Sequence, residues 1–239
     1  MIVAHRKHVQ ELKNMLAPHR RILVLGCGGC VTVCLAGGER EVGLLSSALR
    51  IAFKLSPPNP ALERNGAQEV DEHEIIEATI ERQCENQFIE DILEEVEKAD
   101  AVLSLACGAG VQAVAERYPT KPVYPGLDTR FIGILEDQGV WAEKCIACGK
   151  CVLGIYGAVC PITRCSKALL SGPCGGARDG KCEVSPDIDC AWQLIYDRLK
   201  AIGQLDKLRE PAPPVDWSLG HEGGCRKLIR DDQRIKTDS

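Results

Sequence analysis

The stretch from Cys145 to Cys165, CIACGKCVLGIYGAVCPITRC, places five cysteines in 21 residues. Thiols at this density are held by disulfides, by zinc, or by iron–sulfur clusters, and each option dictates a different local fold. At 239 residues the chain is long enough to bury a core without covalent staples. The opening MIVAHRKHVQELKNML is charged and amphipathic, unlike a secretory leader. No segment reaches the roughly 18–20 apolar residues of a membrane span, so no membrane insertion is expected. These features predict a cytoplasmic chain, where close thiols serve as metal ligands or redox groups rather than disulfides. A net charge of −5 argues against nucleic acid as the main partner, since phosphate binding needs a clustered basic face.

Within residues 141–204 the cysteines are Cys145, Cys148, Cys151, Cys160, Cys165, Cys174, Cys182 and Cys190. Cys145, Cys148 and Cys151 have the C-x₂-C-x₂-C spacing that caps three corners of a cubane, and Cys160-Pro161 follows after a longer gap than in ferredoxin runs. Zinc normally takes two separated C-x₂-C knuckles, so a third cysteine two residues beyond one is surplus to it. The spacing therefore predicts at least one [4Fe–4S] cluster here. All eight thiols could hold two clusters, or one cluster with zinc or structural cysteines; their order does not reveal the pairing. Glu183 and Asp187 lie beside these loops as candidates for tuning a cluster. A helix over 190–202 is expected to close the segment.

Residues 1–140 alternate between helical and extended patterns. Helices are predicted over 4–16, 39–55, 88–100 and about 110–117. Strands are predicted over 21–25, 77–83, 101–106 and 121–124, with a break at Pro57, Pro58 and Pro60. The expected fold is α/β: a Rossmann-like parallel sheet with helices on both faces, followed by a small Cys-rich, ferredoxin-like segment. Such sheets build their sites beyond the carboxyl ends of the strands. Cys27, Cys30 and Cys34 fall in the turn after the first strand, and Cys84 and Cys107 end the next two. A further [4Fe–4S] cluster at that edge is expected, making two or three in all; a redox thiol in a Gly-rich turn is the alternative.

Gly26-Cys27-Gly28 begins a dinucleotide fingerprint, but Val31 stands where the third glycine belongs. Gly28, Gly29 and Gly108 are candidates for bringing backbone amides up to a bulky group, cluster or nucleotide. The five histidines show no paired ligand spacing, and the acidic run Glu90 to Glu97 reads as a solvated helix face. Residues 205–239 form a polar tail with a PAPP motif and one isolated thiol, Cys225; it is a candidate for wrapping a partner.

The strings GCGGCVTVCLAGGEREV, RQCENQFIED, LACGAGVQ and GPCGG…GKCEV…DCAWQLIYDRL carry a resemblance spanning about residues 15–215. Over this span the chain resembles the MetV family, the small iron–sulfur subunits of two-subunit methylenetetrahydrofolate reductases in acetogenic and related anaerobic bacteria. The related module is called the methylenetetrahydrofolate reductase C-terminal domain. The resemblance implies a MetF-type flavoprotein partner with a TIM barrel, where methylene-tetrahydrofolate becomes methyl-tetrahydrofolate in Wood–Ljungdahl one-carbon metabolism. It also implies that this chain passes electrons to that flavin, in some complexes from further electron-donating subunits, and holds no flavin itself. Zinc in place of one cluster stays open, as do a nucleotide- or flavin-binding oxidoreductase in its own right and a zinc-stabilised interaction module.

Overall fold

A computed structural model describes residues 1–55, 73–210, 212–230 and 232; the predicted break at Pro57, Pro58 and Pro60 lies outside them. The chain divides into two compact units, Met1–Ala142 and Glu143–Ser239.

The first unit begins with β1 (Ile2–Arg6), α1 (Val9–Leu16), β2 (Arg21–Cys27), α2 (Cys30–Val33) and α3 (Glu39–Lys54). It continues with β3 (Glu74–Ile80), α4 (Asn86–Glu90), α5 (Leu93–Lys98), β4 (Ala101–Ser104), α6 (Gly108–Arg117) and β5 (Val123–Pro125). A hairpin, β6 (Leu127–Asp137) and β7 (Val140–Cys145), completes the series.

Four strands form one sheet in the order β3-β2-β4-β5, every pair parallel. The central strand β2 reads RILVLGC, a nearly unbroken apolar run, because both faces of a parallel sheet are covered. Side chains alternate across it with period two. Ile22 and Val24 enter a core with Leu12 and Leu16 of α1 and Leu45 and Leu49 of α3. Leu23 and Leu25 enter a second core with Ile89, Val96 and Val114, from α4, α5 and α6. The expected parallel sheet with helices on both faces is therefore present. The strand order reverses around β2, with β3 on one side and β4 on the other, so the switch point lies at its carboxyl end.

Three local expectations change. The first helix, expected over 4–16, is confined to Val9–Leu16, and Ile2–Arg6 is a strand. This strand pairs antiparallel with β6, matching Val3 to Phe131, and buries Val3 and Ala4. The second expected strand runs Glu74–Ile80 rather than 77–83, so Cys84 lies beyond its end. The helix expected over 88–100 is two short helices separated around Asp91 and Ile92, with Ile89, Ile92 and Val96 all buried. The additional sheet β1-β6-β7 had no sequence signature, because β6 shows mostly exposed or half-exposed residues without clean alternation.

The second unit holds α7 (Pro161–Arg164), the ribbon β8 (Lys181–Cys182) and β9 (Ser185–Asp189), and α8 (Ala191–Ala201). Its core gathers Tyr156, Cys190, Trp192, Ile195 and Leu199, with Tyr156 and Trp192 edge-to-face at 5.4 Å. An apolar core this small supplies little stability for a unit of such length, and proteins in that position are commonly cross-linked by metal or disulfide. Among the described residues, no helix is long and apolar enough to cross a membrane.

Candidate metal centres

At the carboxyl edge of the parallel sheet, the loop after β2 turns sharply under Cys27. The Cys27 amide donates to the Gly37 carbonyl at 2.9 Å, and the Thr32 hydroxyl donates to the Cys27 carbonyl at 2.7 Å. The Gly28 amide donates to the Ile80 carbonyl at 2.8 Å, tying this turn to the end of β3. The Gly108 amide donates to Thr129 Oγ1 at 2.9 Å. These two amides are thus engaged by protein. A Cβ at Gly28, Gly29 or Gly108 would make only ordinary contacts, 3.4 Å or more from its neighbours, so packing does not by itself require glycine there.

Three other thiols of this unit act on Cys84. The Cys84 thiol is pushed up first by burial, then by the neighbouring Cys107, Cys27 and Cys30. Cys107 caps the N-terminus of α6, a helix of 10 residues whose dipole favours negative charge there.

Cys34 behaves differently. It is 5% exposed, and its thiol donates to the Val31 and Ala4 carbonyls at 3.5 and 3.8 Å. Burial pushes it up, and Cys30 is the thiol that acts on it. Cys34 therefore points toward β1 as a core residue. Cys27, Cys30, Cys84 and Cys107 remain as the candidates at this edge: Cys27 ends β2, Cys30 opens α2, Cys84 follows β3 by four residues, and Cys107 caps α6.

One residue of this edge escaped the sequence reading. Gln83 is fully buried beside Cys84, and its amide nitrogen donates to the Leu25 and Gly26 carbonyls at 2.8 and 3.0 Å. Its amide oxygen accepts from the buried Ser104 hydroxyl at 2.6 Å. Gln83 thereby cross-braces the ends of β2 and β4 while fixing the backbone that carries Cys84. A Cβ on Gly110 would stand 3.0 Å from the Gln83 Cβ, so α6 needs glycine to approach it. The available signal was an inward-pointing polar residue immediately before a strand-end cysteine.

In the second unit, Cys165, Cys174, Cys182 and Cys190 line a single small cavity, together with Lys167, Glu183 and Trp192. Lys167 and Glu183 form an ion pair at its wall. The Cys182 thiol is held below its ordinary range, first by the Val184 amide, then by the Ser166 hydroxyl. The Gly176 amide likewise donates to Cys174 Sγ at 3.4 Å. An amide two residues downstream that donates to sulfur stabilises the thiolate, the form that binds metal.

The Cys145–Cys151 loop repeats that geometry, with the Ala147 amide donating to Cys145 Sγ at 3.3 Å. Ala147 and Gly149 have positive φ, 53° and 91°, which lets the chain turn back on itself between Cys145 and Cys151. Pro161 lines the same apolar cavity as Cys151 and so brings Cys160 next to the loop. Cys225 is exposed in the tail.

Among the described residues, no three His, Cys, Asp or Glu side chains close in as ligands of one metal ion. Ligands of a cubane bind four separate irons, so their sulfurs stand farther apart than around a single ion. The donor chemistry of the second unit suits iron–sulfur ligation: four free thiols lining one cavity, and amides aimed at Cys145, Cys174 and Cys182.

Residues 124–218, fewer than half of the chain, match the family described as Methylene-tetrahydrofolate reductase C terminal. The match includes the eight cysteines from Cys145 to Cys190 and none of the five N-terminal ones. No curated protein and no solved structure matches the chain. The family match relates this region to methylenetetrahydrofolate reductase.

Proposed function

We propose that this chain is the electron-carrying subunit of a methylenetetrahydrofolate reductase complex, delivering electrons to the flavin of a MetF-type catalytic subunit. The observation that supports the reading is the cavity that Cys165, Cys174, Cys182 and Cys190 line together. To this quartet we add Cys27, Cys30, Cys84 and Cys107 as a second set, and Cys145, Cys148 and Cys151, by their spacing, with Cys160 as a third. Each set would hold one [4Fe–4S] cluster, which accepts and releases single electrons without a proton donor or nucleophile nearby. The protein's part is to present thiolates, aim amides at them, and exclude water on one side. Cys182 and Cys174 do this through the Val184 and Gly176 amides, and Cys107, at the sheet edge, stands at the N-terminus of α6, whose dipole favours a thiolate.

The test is iron, sulfide and zinc analysis of anaerobically prepared full-length protein, with EPR of the reduced form. About twelve irons per chain are expected from three cubanes. Zinc with about eight irons would place a zinc ion in one set, and an iron-free, EPR-silent preparation would overturn the reading. Cys148→Ala should lower the iron content by about four per chain and bleach part of the visible absorbance. The far-ultraviolet circular dichroism of the first unit should stay. Unchanged iron in this variant would remove Cys148 from the ligands.

A further inference from the structure

The C-terminal segment from 212 to 226 lies across the Cys145–Cys151 loop of its own unit. Ala212, Pro213, Pro214 and Val215 cover the apolar cavity beside Cys151 and Pro161. A proline-rich segment is extended before it docks, so ordering it costs little entropy. Asp216 then caps a short turn, accepting from the Ser218 amide and hydroxyl at 3.1 and 2.5 Å. The next residue, Leu219, presses its carbonyl onto Gly149, where a Cβ would collide with it. Gly220 lies against the Cys148 carbonyl. Finally, the Arg226 guanidinium donates to the Ala147 carbonyl at 2.8 Å and to the Leu219 carbonyl at 3.3 Å.

Ala147 is the pivot of this arrangement. Its amide donates to Cys145 Sγ, its φ is 53°, and its carbonyl is the group that Arg226 holds. A left-handed alanine is uncommon and persists only where surrounding contacts over-determine it. Arg226 supplies such a contact with a charge-assisted bond. It joins the loop to the strap that blocks Gly149 from behind. Leu219 and Arg226 both lie beyond residue 218, where the family match ends.

We infer that Arg226 is a positioning residue, and that the strap it closes holds the Cys145–Cys151 loop in its thiolate-presenting conformation. This rests on the proposed cluster only for its electronic consequence. A guanidinium near the loop stabilises the added electron and raises the reduction potential of whatever centre the loop holds. Both bonds leave one nitrogen, Nη1; lysine keeps that charge, but its ammonium sits one bond short of Nη1 and lacks the rigid planar group that aims it.

Hydrogen exchange by mass spectrometry, read on the peptide containing Ala147 in full-length protein, tests the mechanical claim without requiring iron. R226A and R226K should both speed exchange there, by about fivefold to tenfold. Peptides from β2 and β4 should be unchanged and serve as the internal reference. Wild-type exchange in R226A would overturn the strap. In iron-loaded protein, the midpoint of the affected EPR signal should fall in R226A and hold near wild type in R226K. Equal midpoints in all three proteins would overturn the charge effect. Failure of the cluster reading is recognised separately, by unchanged iron in Cys148→Ala.

Discussion

Cys84→Ala is expected to remove about four irons per chain, whereas Cys34→Ala should remove none. The two thiols were indistinguishable in the sequence: each follows a strand, and each lies among small or polar residues. In the folded chain Cys107, Cys27 and Cys30 are near enough to Cys84 to act on its thiol. Cys34 donates to two backbone carbonyls within the core. Removing the exposed Cys84 deletes little packing, so its variant should keep the fold and lose the metal. Removing Cys34 deletes a buried sulfur and its two weak bonds, which should cost about 1 kcal/mol while iron stays. Iron content and thermal unfolding of the two variants, prepared side by side, decide the matter. Full iron in Cys84→Ala, or depleted iron in Cys34→Ala, would refute the assignment of the four-thiol set.

Gln83→Leu should be among the most damaging single substitutions in the first unit, although Gln83 touches no expected ligand sulfur. The leucine fills the volume but leaves the buried Ser104 hydroxyl without its acceptor and takes a donor from the Leu25 and Gly26 carbonyls, of which Leu25 keeps the Leu105 amide. Each unsatisfied buried group costs about 1–3 kcal/mol, so a loss of about 2–4 kcal/mol is expected for the variant. Ser104→Ala removes the partner of one end only and should cost less. Urea unfolding of the full chain, followed by exchange protection of β2 and β4 peptides, gives the comparison. Iron should also fall in Gln83→Leu, because the backbone before Cys84 loses its brace. A Gln83→Leu protein as stable as wild type would show that the bridge between strand ends carries no load.

The parallel sheet was legible because a strand covered on both faces must be apolar along its whole length, and RILVLGC and AVLSLA are. The hairpin β6–β7 and strand β1 were not. Their residues are half exposed, and their pairing joins Ile2 to Ile132 across most of the unit, a contact no local window contains. The helix start at Val9 rather than residue 4 has the same origin, since Val3 and Ala4 are drawn into a strand by a distant partner. The loop that carries Cys145, Cys148 and Cys151 was legible because three cysteines at one short spacing are a local pattern. The quartet lining the second cavity draws Cys165, Cys174, Cys182 and Cys190 from separated turns, and chain order alone allowed many pairings.

The sequence determined by itself which chemical groups this protein owns: thiols in excess of any structural need, an apolar run that must lie inside a parallel sheet, and glycines at the strand ends. These follow from composition and short-range periodicity, which act over a few residues. The tertiary structure alone decided which thiols face one another, which one the core absorbs, that Gln83 braces the site, and that Arg226 reaches back to Ala147. Those relations join residues tens of positions apart, and in an unfolded chain the entropy of loop closure leaves all such pairings nearly equal until packing selects one.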